Sequence, residues 1–192
     1  MKNIIKMIVV LSVLCGFSGF ILSYLKTITA PVIEEQVLRN VQGPAIISVF
    51  SKAENNPIAD RNTFETPDGG KVIAFPCITG GQLVGVAIEN FGKGYGGPVG
   101  VMVGFNTKSD TLVGVGMTSL KETPGLGMRV KEPGFQAQFT DKALPVALSS
   151  GGGTIDAVSG ATISSTGVVE AVNKAADIYK QLKPEFIKFW QK

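Results

Sequence analysis

The stretch DAVSGATISSTGVVEAVNKAADIYKQL, Asp156 to Leu182, decides the architecture. Its second part carries Val168, Val172, Ala175, Tyr179 and Leu182 at spacings of four and three, one apolar face of a helix. Its first part turns at Gly160 and offers five hydroxyls in eight residues: Ser159, Thr162, Ser164, Ser165 and Thr166. A hydroxyl-rich loop therefore feeds a helix N-terminus. Backbone N–H groups there have no partners inside the helix, and the macrodipole favours negative charge, so a phosphate is the expected guest. One of Ser164 to Thr166 is expected to cap the helix. Capping needs one hydroxyl, and it leaves Gly160-Ala161 unexplained. Those two small residues leave Thr162 Oγ unobstructed. A Thr hydroxyl needs a base or a metal to act as nucleophile, and the chain contains no His. The residues alone give an anion site with a reachable Thr.

Upstream of this stretch the chain reads as strands. Lys71 to Ile78, Gln82 to Asn90, Val99 to Phe105 and Leu112 to Thr118 are candidates, with Gly80-Gly81 and Lys108 to Asp110 as turns. GQLVGVAIEN and DTLVGVGMTS resemble each other, which suggests two similar antiparallel strands. Pro133 to Phe139 predicts a short helix burying Phe135 and Phe139, and Ser149 to Gly153 a turn. Thr154 to Val158 predicts a short strand into the site loop. The tail after Pro184, with Phe186, Ile187, Phe189 and Trp190, is expected to pack on the domain as a terminal helix running to Lys192. Strands flanked by helices at both ends argue an α+β domain with an antiparallel sheet.

The N-terminus is of another kind. Met7 to Leu25 is an uncharged run rich in Ile, Val, Leu and Phe, long enough for the about 20 apolar residues of a bilayer span. No A-x-A-like site follows it, and Leu14 stands before Cys15 where a lipoprotein needs a small residue. An uncleaved transmembrane anchor over residues 1–29 is expected. Lys2 and Lys6 before the run, and Glu34 and Glu35 after it, put the N-terminus in the cytoplasm and the rest outside. Without Lys2, Lys6 and Lys26 the basic and acidic residues balance at fifteen each, which argues against nucleic acid. Residues 30–70 predict a connecting helix and loop. Pro31 suits a first helical position, Gly43-Pro44 a break, and residues 53 to 70 a loop. Cys15 falls in the anchor and Cys77 in the domain, so no disulfide is expected. Two cysteines without histidine argue against structural zinc.

Two further segments invite a functional reading. Gly92-Lys93-Gly94-Tyr95-Gly96-Gly97 matches GxGxxG after a strand, but Pro98 and a strand-like run follow where the dinucleotide fingerprint needs a helix. The Rossmann reading is rejected, and the glycines read as close backbone packing. Lys121 to Gly127, KETPGLG, predicts a type II turn with Gly125 at the positive-φ position.

Asp156 and Ser159-Gly160-Ala161-Thr162 together resemble the flavinylation motif of the FMN-binding domain family. In that family FMN is joined to the Thr oxygen through a phosphoester, made from FAD by a separate Mg-dependent flavin transferase. The resemblance implies covalent FMN on Thr162 and residues 71–192 as the flavin domain. It implies Ser159, Gly160, Ala161 and Ser164 around the attachment point. Glu122-Thr123-Pro124-Gly125-Leu126-Gly127 resembles the second hallmark of these domains, which approaches the flavin, and Tyr95 falls in a similar Gly-Tyr segment. In this order of segments the chain is most similar to the G subunits of Rnf-type ferredoxin:NAD oxidoreductases, which pump Na⁺ or H⁺. That implies an electron-transfer flavoprotein subunit of an ion-translocating complex in the cell (inner) membrane, with other membrane subunits as partners. The related C subunits of sodium-pumping NADH:quinone reductases, and an anchored protein binding a phosphorylated ligand noncovalently, are the alternatives. Leu120-Lys121 stand where many G subunits carry a His before ETPGLG.

Overall fold

The computed structural model describes residues 2–50 and 53–191; Ser51 and Lys52 of the connecting segment, and Lys192 of the tail, lie outside them. The chain divides into two units, residues to Asn40 and Val41 onward. The first unit is helical. Helix α1, Lys2–Val37, runs for 36 residues, about 54 Å at roughly 1.5 Å per residue. Within the described residues this helical stretch is long and apolar enough to cross a membrane by length and composition. Pro31 does not start a second helix, contrary to the expectation from its sequence. It lies inside α1, because a helix already propagating absorbs one lost hydrogen bond more readily than it renucleates.

A π-helical turn, Leu38–Gln42, follows, and α2, Gly43–Val49, continues from it. Gly43-Pro44 therefore breaks nothing. Pro44 falls in the first turn of α2, where a missing N–H costs no bond. Gln42, the N-cap of α2, donates its Nε2 to Glu89 Oε2 over 2.6 Å and ties the start of α2 to the sheet.

The sheet has five antiparallel strands in sequence order: β1 (Asn62–Glu65), β2 (Lys71–Thr79), β3 (Gln82–Lys93), β4 (Pro98–Asn106) and β5 (Leu112–Ser119). Four of them answer to apolar runs in the sequence. Strand β1 lies in the stretch read as loop. Among its residues only Phe64 is buried, too little for a periodic signal. Thr154 to Val158 does not form a strand; Ile155 makes one isolated parallel bridge with Leu148.

Each face of the sheet packs a helix. On one side Val86, Ile88, Val99, Val101, Val103, Phe105 and Val115 form a core with α4, Thr162–Trp190. Phe105 stacks on Tyr179 at 4.5 Å. On the other side α2 lies on a row of glycines. A Cβ on Gly85 would stand 2.8 Å from the Phe50 ring, one on Gly116 3.0 Å from Ala45, and one on Gly104 would run into Val49. In the two look-alike strands Val86 and Val115 thus face the α4 core, while Gly85 and Gly116 face α2. Cys77 is buried, and burial pushes its thiol up.

Helix α4 is fixed along its length. The C-terminal turns pack as expected, and Pro184 sits within the helix. Phe64 meets Phe186 edge-on at 4.7 Å, and Trp190 Nε1 donates to the Asp60 carbonyl over 3.2 Å. At the β4–β5 turn, Tyr179 donates its hydroxyl to Asp110 Oδ1 at 2.9 Å, and Lys183 Nζ to the same oxygen at 2.6 Å. The Lys183 ammonium holds the Asp110 carboxyl below its usual range. Burial, then the neighbouring carboxylate, push the Tyr179 phenol up. A depressed carboxylate stabilises the fold above its unfolded value near 3.8 and loses that contribution as pH falls through the folded value.

Near the start of α4, Gly92 of β3 meets Gly167 with no side chain between them. A Cβ on Gly92 would run into the Gly167 carbonyl oxygen, and one on Gly167 would stand 2.8 Å from the Lys93 carbonyl. Gly92→Ala is therefore expected to cost about 3 kcal/mol or more, the upper range for overpacking against rigid neighbours. Gly114→Ala, where a Cβ meets nothing within 4 Å, should change stability by less than about 0.5 kcal/mol. Urea unfolding of the two variants in detergent checks the contrast.

Candidate functional site

The site gathers where the β3–β4 turn, the end of β5 and the start of α4 converge. Gly160 takes φ +76°, and Ala161 stands at the N-cap. Helix α4 begins at Thr162, earlier than the sequence suggested, and no side chain caps it. The expectation that one of Ser164 to Thr166 caps the helix fails for a geometric reason. All three already lie inside its first turns and find partners elsewhere. Ser164 Oγ donates to Glu122 Oε2 at 2.6 Å. Ser165 Oγ donates to the Ala161 carbonyl at 3.0 Å and accepts from the Val158 N–H at 3.0 Å. Thr166 Oγ1 donates to the Thr162 carbonyl at 2.9 Å. Of the five hydroxyls, only Ser159 and Thr162 are exposed and without a side-chain hydrogen bond among the described residues. Thr162 is the one that stands on the helix, beside the backbone N–H groups of its own first turn.

Across from it is the ETPGLG turn. The Leu126 N–H donates to the Thr123 carbonyl at 3.2 Å, and Gly125 takes φ +72°, as a type II turn demands of its third residue. Leu126 leans on Gly160: a Cβ there would stand 3.1 Å from Leu126 Cδ1. The β3–β4 turn supplies the third wall. It closes through the Gly94 N–H to the Gly97 carbonyl at 3.0 Å and holds Tyr95 out, 72% exposed.

Tyr95, Glu122, Thr123, Leu126, Gly160, Ala161, Thr162 and Ser164 line one cavity of about 540 Å³, together with Gly127 and Ile163. That size falls in the range of pockets for ligands of drug or cofactor size, roughly 300–1,000 Å³. Pro124 and Gly125 shape the turn from its exposed side, and Ser159 sits exposed just before Gly160. Ile163 was not singled out in the sequence. Its signal is an apolar residue among hydroxyls and off the buried helical face, 54% exposed. Gln138 also escaped notice: its amide accepts from the Asp156 N–H at 2.7 Å and donates to the Asp156 carbonyl at 3.2 Å. This holds the loop's backbone and leaves the Asp156 carboxylate to solvent.

Glu122 is the buried centre of the arrangement, 6% exposed. Its Oε1 accepts from the Gly96 N–H at 3.1 Å and its Oε2 from Ser164. One carboxylate therefore joins the β3–β4 turn, the ETPGLG turn and α4. Glycines make room for it: a Cβ on Gly94 would run into Oε1, and one on Gly127 would stand 2.6 Å from Oε2.

The donor set suits a flavin phosphate. Helix N–H groups without intrahelical partners and an exposed hydroxyl would face an anion there, and Tyr95, Leu126 and Ile163 offer apolar surface that would suit a flat ring. The sequence profile of the FMN-binding domain matches residues 94–177, from the Tyr95 turn to the middle of α4. Residues 94–177 therefore carry an FMN-binding domain. The chain is 32% identical over 182 residues to the G subunit of the ion-translocating oxidoreductase complex of Methanosarcina acetivorans, covering 92% of this chain and 94% of that one. It is 28% identical to the G subunit of the proton-translocating ferredoxin:NAD(+) oxidoreductase complex of Clostridium ljungdahlii, covering 87% and 86%. It belongs to the family of ion-translocating oxidoreductase G subunits. Among solved structures, the C subunit of the Na(+)-translocating NADH-quinone reductase of Parabacteroides distasonis shares the fold, with a TM-score of 0.53, 24% identity and coverage of 70% and 73%.

The loop's internal bonds give a direct check. Ser165→Ala strands the Val158 N–H in a buried position and is expected to cost about 1–3 kcal/mol. Thr166→Ala removes only an exposed back-bond and should stay within about 0.5 kcal/mol of the parent. Thermal unfolding of both variants reads the difference.

Proposed function

We propose that the chain is the electron-transfer flavoprotein subunit of an ion-translocating oxidoreductase complex and carries FMN as a phosphoester on Thr162. The observation that carries this reading is the state of the Thr162 hydroxyl. It is exposed at the start of α4, is unpaired among the described residues, and shares a cavity with the ETPGLG turn. Its neighbours Ser164, Ser165 and Thr166 have their hydrogens committed within the protein.

In this reading the residues divide the work. The N–H groups at the start of α4 and its dipole stabilise the phosphate. Leu126, Ile163 and Tyr95 pack the ring. The bound FMN supplies the redox chemistry; the protein supplies position and electrostatics. A separate flavin transferase makes the ester and reads the exposed Asp156. This accounts for a modified Thr in a chain with no His. Helix α1 anchors the protein, with the N-terminus cytoplasmic and the flavin domain on the outer side. The named complexes of the relatives supply the expected partners, the other membrane subunits.

Thr162→Val keeps the β-branch and removes the hydroxyl. It is expected to abolish covalent flavin, seen as loss of in-gel fluorescence and of one FMN adduct from the intact mass. Peptide mapping that finds the adduct on Ser159 or Ser164, or fluorescence surviving in Thr162→Val, refutes the assignment. Protease added to right-side-out vesicles should digest residues beyond 40; full protection would reverse the topology.

A further inference from the structure

Glu122 is a carboxylate in a place where carboxylates are expensive. It is 6% exposed, and among the described residues no Lys or Arg forms an ion pair with it. Both its oxygens accept hydrogen bonds, from the Gly96 N–H and the Ser164 hydroxyl, and both donors are neutral. Burying an uncompensated charge is costly. Glutamine has the same shape and could tie the same three segments without that cost, its oxygen accepting from the Gly96 N–H and its amide N–H donating to Ser164 Oγ. The tie alone therefore does not account for an acid here. What distinguishes the acid is its charge, and that charge lines the wall of the cavity that holds Thr162.

We propose that Glu122 is a positioning residue whose second effect is electrostatic, holding down the reduction potential of the redox group in this cavity. The proposal rests on the reading that FMN occupies it. Each electron that enters without a proton adds one negative charge to the occupant. A fixed negative charge in the same low-dielectric wall opposes that addition. The Ser164 hydroxyl and the Gly96 N–H temper the effect, since their positive ends point at the carboxylate. Glu122 thus lowers the driving force for reduction, and Ser164 moderates how far.

The experiment is a dithionite titration of the purified full chain against reference dyes, in which dithionite is oxidised to sulfite and gives its electrons to the flavin. Glu122→Gln keeps the shape and the bond from the Gly96 N–H, reverses the Ser164 bond so that the amide donates to Oγ, and removes the charge. Its midpoint potential is expected to move positive. Ser164→Ala keeps the charge and removes one donor from it, and its potential is expected to move negative. Opposite signs are the signature of electrostatics, because mere loosening of the cavity would move both variants the same way. A potential unchanged in Glu122→Gln, or a shift of the same sign in both, overturns the proposal. If Glu122→Gln does not fold, Ser164→Ala decides alone: a negative shift supports the proposal, and a positive or absent shift overturns it. Failure of the underlying reading looks different, since the parent protein would then show no covalent flavin fluorescence at all.

Discussion

The arrangement of this domain depends on one contact, the meeting of Gly92 and Gly167. Helix α4 crosses the sheet so closely there that neither residue has space for a Cβ. Around it the Lys93 N–H donates to Glu170 Oε2 at 2.9 Å, and Lys174 reaches the Phe91 carbonyl at 3.3 Å. Lys174 also pairs with Glu170 at 2.7 Å; hydrogen bonds from Lys174 and from the Lys93 N–H hold that carboxyl below its usual range. These polar bonds are exposed and contribute little individually. The backbone contact sets the depth, and the polar bonds fix the register along the helix. With both fixed, the start of α4 can only emerge beside the β3–β4 turn, which is where the cavity forms.

The same economy of side chains governs the opposite face. Glycines at 85, 104 and 116 let the short helix α2 lie against the sheet, and Ala45, Ile46, Val49 and Phe50 fill a second, smaller core. A seven-residue helix has little stability of its own. It holds because burial on the glycine row offsets the entropy of ordering it.

Much of this was legible in the sequence. Strands β2 to β5 announce themselves as apolar runs between turn residues, and α4 by its 3.6-residue period. The type II turn follows from Pro124-Gly125, since only a glycine takes its third position without strain. What was not legible has physical causes. Strand β1 contributes a single buried side chain, so no alternation could betray it. The start of α4 is hidden because Ser and Thr are the usual caps, and nothing local says that their hydroxyls are wanted by Glu122, Val158 and the Ala161 carbonyl. The GKGYGG segment looks like ordinary packing, and Gly92 is that. Yet Gly94 also makes room for the Glu122 carboxylate 28 residues further on, and Gly96, pressed against the Lys121 carbonyl, donates its N–H to it. A bond of that span leaves no periodic trace. Only the resemblance to known flavin domains marks Tyr95 and Glu122 as members of one site.

The wall of the cavity shows two opposed fields. The first turn of α4 presents unpaired N–H groups and the positive end of a 29-residue helix, and these favour an anion at Thr162. Glu122 presents a buried negative charge to the same space, bound through Ser164 to that same first turn. A site meant only to grip an anion would not include the second. Had the carboxylate taken the helix N–H groups directly, it would also have spent the first. It takes a side-chain hydroxyl instead, through Ser164 at the third helical position, and the backbone donors stay open to the cavity. With FMN in place as proposed, one helix end would hold the phosphate while the neighbouring wall would resist the arrival of further negative charge. Firm binding and reluctance to be reduced are separate demands, and in the proposed reading separate atoms would meet them.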